Sequence, residues 1–499
     1  MRILLISLYE DISSIGIRYL SSYLKAKHIQ VNSIYMMPFA TEGAFVNRPD
    51  SRKSVYLLKR KIGELQPDLI GIGVMTNYFK RAAALASEIK KMCATPVIFG
   101  GIHPTVCPEE CLEFADIVCI GEAEETLLEL CTITAYPKGL GAIRGIAYKK
   151  DGRVVKNEVR PLREDLDSFP FPDYATDSDF IISNNQIQRL DKKGIVKLLP
   201  RHIFGRPTYR IITARGCPYS CAYCCNSFLR NLVAGKGRYE RNRSVDNVIG
   251  EMVRVKNDLS VESFRIMDDS FLCHPIEWLE KFGEEYKAKI GVPFSCLSNP
   301  VNVTYPKQRL LTGCGMAHMQ IGLQSGSDRV NYDIYNRKIA ARTFLKAMDT
   351  INSVDPRPLL TIDVILDNPL ETKDDKIKTI NVLKEIKTPF ILGPFSLTHY
   401  PKTEIYHRAK NGGFLSEKEI DAVYNRSWYF LRQDYINGLM LLEGTRYIFP
   451  APINFFLRFL STFIIFRYML GMASVFAYNK IFLNPRFLFL KDMVKGAPR

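Results

Sequence analysis

Arg215-Gly216-Cys217-Pro218-Tyr219-Ser220-Cys221-Ala222-Tyr223-Cys224-Cys225-Asn226 is the stretch on which the reading of this chain turns. Cys217, Cys221 and Cys224 stand at C-x3-C-x2-C spacing on a loop that follows a strand-like run, Ile211–Ala214. Three thiolates on one short loop can hold three irons of a cubane [4Fe–4S] cluster and leave the fourth iron open to a ligand. Zinc is a second reading of grouped cysteines, but it wants a fourth nearby Cys or His. Cys225 directly follows Cys224, an awkward position for a fourth ligand. Unrelated surface thiols are the third reading.

The run before the loop opens a repeating alternation. Strand-like segments recur at Ser263–Met267, Phe294–Leu297, Met319–Leu323, Leu360–Leu366 and Phe395–Thr398, with helical patterns such as Val245–Asn257 and Thr372–Ile386 between them. With the first run these make six βα units, which predict a full or partial TIM-type barrel with its chemistry at the strand C-terminal ends.

Upstream lies a second alternation. Ile3–Ser7, Val31–Tyr35, Leu69–Val74, Val97–Phe99 and Ile117–Ile120 are apolar runs separated by helical patterns at Ile17–Ala26, Tyr56–Leu65, Lys80–Met92 and Glu124–Cys131. Strands this apolar, each followed by a helix, predict a parallel sheet covered on both faces. Gly100, Gly101 and Gly121 fall at strand C-terminal ends, the edge at which open α/β sheets bind ligands. The fold class expected is therefore α/β: a doubly wound, Rossmann-like domain over 1–138, a linker and small hairpin over 139–204, a partial (β/α)6 barrel over 205–404 and a helical region over 405–499. The Pro-containing segment Phe169-Pro170-Phe171-Pro172 marks the linker.

Composition bounds the rest. The 499-residue chain carries 46% hydrophobic and 24% charged residues, which excludes a disordered or fibrous protein. Met1-Arg2 leads directly into an apolar strand, so no cleavable signal peptide is expected, and the cytoplasm is the predicted compartment. The thiols should then stay reduced, which favours metal or cluster ligation over disulfides. The net charge of +16 has two local sources. One is Arg201, Arg206, Arg210, Arg215, Arg230, Lys236, Arg238, Arg241 and Arg243 around the cysteines, against a lone Glu240, which is either a solvated face or a contact for an anionic substrate. The other follows Gly444, where Phe455, Phe456, Phe459, Phe463 and Phe466 recur at near-helical spacing around Arg458 and Arg467. That tail is either a helical lid on the barrel or an interfacial helix at the inner face of the membrane, in which case a lipid substrate is attractive. No nucleic-acid module is recognisable.

With the cysteine spacing and Tyr223 before the last cysteine, the chain resembles the radical S-adenosylmethionine (SAM) enzymes over roughly Ile211 to Tyr406. The resemblance implies a [4Fe–4S] cluster on Cys217, Cys221 and Cys224, with SAM on its open iron. It implies SAM contacts from Tyr223, from Asp268 and Asp269, from Ser298, and from Gln324 in Gly322-Leu323-Gln324-Ser325-Gly326, where the family more often has Glu. Read alone, Asp268-Asp269 is equally a loop-capping pair. Tyr400-Pro401-Lys402-Thr403 departs from the family's Y-P-G-T by carrying Lys402.

The first domain resembles the cobalamin-binding domain that precedes the barrel in one radical SAM subgroup, through Gly16-Ile17-Arg18-Tyr19-Leu20, Pro67–Ile72, Phe99–Thr105 and Ile120–Glu124. The implied cobalamin contacts are Ser13, Gly16, Thr76, Gly100, Gly101, Ile102, Gly121 and Glu122. Asp11-Ile12-Ser13-Ser14-Ile15-Gly16 stands where many cobalamin domains carry D-x-H-x-x-G, so no histidine ligand to cobalt is expected, and His103 is expected to stabilise a turn. The subgroup's chemistry implies hydrogen abstraction by a 5′-deoxyadenosyl radical and methyl transfer from methylcobalamin to an unactivated carbon. Its partners are a small-molecule substrate and an electron donor such as flavodoxin or ferredoxin. No catalytic residue is assigned beyond the cluster. The alternatives are a non-methylating cyclase or rearrangement enzyme, and a non-catalytic cobalamin sensor.

Overall fold

Five short apolar strands with helices between them cannot bury both faces except in a layered α/β sheet, and that is what the computed structural model contains. It describes residues 1–444 apart from 10, 38–49, 134–136, 175, 202–203, 356–357, 425–430 and 433. The basic aromatic tail, and with it the expectation of membrane contact, lies outside the described residues. Among those described, no helix is long and apolar enough to cross a membrane.

The first sheet is built on β1 (Arg2–Ser7), β2 (Gln30–Met36), β3 (Leu69–Gly73), β4 (Val97–Gly100) and β5 (Ile117–Cys119), all parallel, in the order β5-β4-β3-β1-β2. This is the doubly wound order whose switch point lies between β1 and β3. Two apolar clusters cover its faces, one around Leu4, Ile70 and Phe99 and the other around Ile3, Leu5 and Ile98.

The segment read as a linker and small hairpin forms two hairpins that join the first sheet. It supplies β6 (Ile146–Lys150), β7 (Arg153–Lys156), β8 (Asp179–Ser183) and β9 (Gln186–Arg189), which extend the sheet to nine strands, two on each edge. The β6–β7 hairpin runs antiparallel on β5, while β8 joins β2 in parallel and pairs with β9. Both hairpins turn through two left-handed residues, Asp151-Gly152 (φ +50° and +74°) and Asn184-Asn185 (φ +50° and +58°). These are the turns that match strand twist. An open five-stranded edge presents unpaired backbone groups, and the hairpins cover both.

The second sheet is six-stranded, parallel and in strict chain order: β10 (Thr208–Ile211), β13 (Ser263–Ile266), β14 (Phe294–Ser298), β15 (Met316–Gln324), β16 (Leu359–Leu366) and β17 (Phe390–Ser396). Between β10 and β13, Ala214–Arg215 (β11) and Arg241–Asn242 (β12) form a two-residue antiparallel ladder. The expected strand Ile211–Ala214 therefore starts earlier and stops at Ile211. The cause is Asp268, whose Oδ1 accepts from the backbone amides of Thr213 (2.6 Å) and Ala214 (3.2 Å) and so draws the chain out of the sheet.

The barrel core runs without interruption into the first domain, because Ile12, Tyr35 and Ile181 belong to the same cluster as Tyr209, Phe264 and Met319. After the barrel the described chain is helical, over Glu404–Asn411, Glu417–Val423 and Tyr435–Gly444. Lys402 adopts φ +63°, the left-handed conformation for which glycine is the natural residue.

Candidate active site

The cysteine loop is held in place by backbone contacts on all sides. Gly216, at φ +90°, opens it, and a Cβ there would overlap the Tyr239 carbonyl oxygen. The Ala222 amide donates to the Tyr335 carbonyl (2.8 Å), the Ile405 amide donates to the Ala222 carbonyl (3.0 Å), and the Arg230 guanidinium donates to the Cys217 carbonyl while pairing with Glu240 at 2.5 Å. Cys224 caps the helix Cys225–Leu232. Cys217 and Cys221 are buried and Cys224 is half-buried. Burial pushes the Cys217 thiol up to about 12, and Asp269, Cys224 and Cys221 add to the rise; burial likewise raises Cys221. A hydrogen bond from the Cys225 thiol leads the factors that lower Cys224.

Among the described residues, no three His, Cys, Asp or Glu side chains converge to hold one ion. Three cysteine thiols on one loop are the donor set that a [4Fe–4S] cluster takes, one thiol to each of three irons. Burial disfavours the three neighbouring thiolates, and a cationic centre would relieve that cost. We expect Gly216→Ala to lower both the iron content per chain and the melting temperature. The strained backbone alone costs about 1–3 kcal/mol and the overlap adds to it.

The other expected SAM residues share this edge. Ser298 closes β14 and is buried, and Gln324 closes β15 at φ +65°. Gly322 makes room for Gln324, since a Cβ there would stand 2.5 Å from its Nε2. Asp269 is exposed at the mouth, with the Asn226 side chain hydrogen-bonded to it. Asp268 is turned away: besides the two amides it accepts from the Thr213 hydroxyl, and its Oδ2 lies 3.3 Å from the His274 ring. The tandem acids have thus separated into one that shapes the loop and one that faces the mouth. Arg337, which the sequence reading passed over, donates to the carbonyls of Leu323 (2.7 Å) and Gly322 (2.6 Å) and fixes the end of β15.

In the first domain the matching edge is formed by the ends of β1, β3, β4 and β5. Gly101 has φ +108° and lies so close to Val74 that a Cβ would stand 2.9 Å from its carbonyl oxygen; Gly121 has φ +83°. The Thr105 hydroxyl donates to the Gly101 carbonyl (2.8 Å) and accepts from the Gly121 amide (3.0 Å), tying the two turns together. Gly16 and Gly101 are exposed, Gly100 and Ile102 half-buried, and Thr76 buried. The buried Ser13 hydroxyl has no hydrogen-bond partner among the described residues, which suits a group kept for a ligand.

The side chain of Glu122, expected among the cobalamin contacts, is engaged by two arginines. Its carboxylate takes a bidentate pair from Arg241 (2.5 and 3.2 Å) and a contact from Arg215 (3.2 Å), and Arg215 also pairs with Glu124 at 2.7 Å. Burial works against the Glu122 carboxylate, yet the two guanidiniums hold its pKa below the usual range. These four side chains join the end of β5 to the residue that precedes Gly216. Three others of the basic stretch also meet acids: Arg210 meets Asp11 (2.9 Å) and Lys236 meets Glu158 (2.5 Å), both far back in the chain, while Arg243 meets Glu251 (2.7 Å) eight positions on. Part of the charge excess read beside the cysteines, at Arg210, Arg215, Lys236 and Arg241, is thus contact with acids of the chain's first half.

The B12 binding domain family matches residues 1–131, and the Radical SAM superfamily matches residues 211–383. The chain belongs to the cobalamin-dependent radical SAM enzymes. It is 25% identical to an uncharacterized methyltransferase of Pyrococcus horikoshii over 70% of each chain, and 22% identical to the bacteriochlorophyllide d C-8(2)-methyltransferase of Chlorobaculum tepidum over 75% of each. Its fold is that of the radical SAM methyltransferase TsrM from Kitasatospora setae with cobalamin and [4Fe–4S] cluster bound, at TM-score 0.65, 14% identity and 82% and 78% coverage of the two chains. The cofactors of this radical SAM enzyme are a [4Fe–4S] cluster, SAM and cobalamin.

His103 lies below the cobalamin-domain edge in an aromatic pocket, with ring centroids 4.4 Å from Phe79 and 5.5 Å from Tyr424. Glu110 is 3.7 Å from Nε2, too far for a hydrogen bond. Burial lowers the ring's pKa to about 4. The unfolded chain takes up this proton near pH 6.5 and the folded chain does not, so stability is full above that pH and is lost as pH falls toward 4. We expect His103→Phe to remove a loss of about 2 kcal/mol at pH 5, read from denaturation midpoints at pH 5 and 7.5.

Proposed function

We propose that the enzyme transfers a methyl group to a carbon atom of a small-molecule substrate. The observation that carries this is the Glu122/Glu124–Arg215/Arg241 network, which holds the ligand-binding edge of the cobalamin domain against the cysteine loop of the barrel. The names of the Pyrococcus and Chlorobaculum relatives, both methyltransferases, support it.

In this reading Cys217, Cys221 and Cys224 hold the cluster, while Tyr223, Asp269, Ser298 and Gln324 orient SAM. Asp268 and Arg337 set the shape of the loop and of the β15 end. Ser13, Gly16, Thr76, Gly100, Gly101, Ile102 and Gly121 line the cobalamin cradle, where a side chain at Gly101 would intrude. When bound, SAM on the cluster supplies a 5′-deoxyadenosyl radical and cobalamin supplies a transferable methyl group. The protein's share is to align the substrate between the two edges and keep water out. Electrons come from a flavodoxin- or ferredoxin-type donor.

Anaerobic reconstitution with iron, sulfide and cobalamin, followed by mass analysis of SAM products, tests the proposal. S-adenosylhomocysteine together with 5′-deoxyadenosine is the expected result. 5′-Deoxyadenosine without S-adenosylhomocysteine would replace methyl transfer by cyclisation or rearrangement.

A further inference from the structure

The barrel lumen is charged. Along β10, β13, β15 and β16 the outward residues Tyr209, Phe264, Met319 and Ile362 lie in the apolar core, so their neighbours Arg210, Arg265, Gln320 and Asp363 face inward, and all four are half-buried. Arg265 Nη2 donates to Gln320 Oε1 at 2.6 Å, and Gln320 Nε2 donates to both oxygens of Asp363 at 3.1 and 2.9 Å. On the next strand Gly393 stands opposite Asp363, where a Cβ would come 2.6 Å from Oδ1, so the strand yields space to the carboxylate. One layer nearer the strand N-termini is polar too, with Thr208 bonded to Ser263 (2.7 Å) and His318 to Thr361 (2.9 Å). Arg210 leans instead to Asp11 of the first domain, leaving the Arg265–Gln320–Asp363 chain as the charged span of this layer. Burial pushes the Asp363 carboxyl up to about 7.

A hydrocarbon chain seated in this lumen would strip water from a guanidinium and a carboxyl and offer no hydrogen bond in return, which is unfavourable. A ligand with its own polar groups avoids it. We propose that Arg265, Gln320 and Asp363 form the floor of the substrate pocket and select a water-soluble substrate that turns a hydrogen-bond acceptor toward Arg265 and a donor toward Asp363. This rests on the radical SAM reading of the barrel mouth, and it narrows the substrate class away from lipids.

The test uses the full-length holoenzyme, SAM with a trideuterated methyl group, and two probes: the water-soluble and the chloroform-soluble fractions of one cell extract. Formation of 5′-deoxyadenosine is followed against the amount of each fraction. We expect the water-soluble fraction to accelerate it. Asp363→Asn and Arg265→Gln should each require at least about tenfold more of that fraction, with the plateau rate largely kept, and Arg265→Lys should recover part of the loss. The cluster's visible absorbance reports folding of each variant. Acceleration by the chloroform fraction alone overturns the proposal, as does a response that both variants share with the wild type, and as does no response to either fraction. The fate of the deuterated methyl group is a separate readout: acceleration without label transfer would leave the polar floor standing and remove methyl transfer.

Discussion

Alanine at Cys217, Cys221 and Cys224 together yields a chain that retains cobalamin but binds no cluster and does not cleave SAM. Cys225, the first residue of the following helix, is left as the one thiol of this stretch, and a single thiol cannot hold a cluster that needs three. Removal of an outer-shell partner commonly costs 10–100-fold, so loss of the ligands themselves should cost more than about a hundredfold in 5′-deoxyadenosine formation. Iron analysis, visible absorbance and product quantification check this. Retained cleavage in the triple variant would refute the cluster assignment. The same variant separates an enzyme from a cobalamin sensor, which would tolerate the change.

The second large effect is expected at Arg241. Its guanidinium is 3% exposed and grips Glu122 with two hydrogen bonds while donating to the Arg163 carbonyl at 2.8 Å. Arg241→Gln leaves the half-buried Glu122 carboxylate with only Arg215 as a cationic partner, a lost charge-assisted pair that costs about 1.5–3 kcal/mol. A lower melting temperature and weaker cobalamin retention are the readouts. Acid titration supplies the sign. A carboxylate whose folded pKa is depressed stabilises the fold above its unfolded pKa, and loses that contribution as pH falls through the folded value. The wild type should therefore lose stability below about pH 4, and Arg241→Gln should lose less over that interval. A variant as stable as the wild type would show that this pair breaks even against its desolvation.

Much of this was legible in the residue order because the signals are local. Cysteine spacing, strand-length apolar runs and glycines at strand ends each lie within a few residues, and so the two α/β halves and the loop between them could be read directly. The edge hairpins carried a local signal too, in Asp151-Gly152 and Asn184-Asn185, but their place on the first sheet depends on partners far along the chain. The same holds for charge. Arg215 and Arg241 look like a free basic patch until Glu122 and Glu124, some ninety to a hundred and twenty positions earlier, come to meet them. Tandem Asp268-Asp269 gives no hint of which acid turns inward, since that is decided by the amides of Thr213 and Ala214. The lumen floor was hidden for a similar reason. Arg265, Gln320 and Asp363 become one group only when the four parallel strands β13 to β16 come into register.

The apolar cluster that passes from Ile12, Tyr35 and Ile181 into the barrel bears on how such a chain can change over time. A seam sealed by shared core residues is not a place where modules can be exchanged freely. A first sheet with other side chains at those three positions would oblige the barrel beneath to repack around them. Substitutions on either side of this seam are expected to need compensation on the other, whereas a change in the lumen has only its neighbours within the barrel to satisfy.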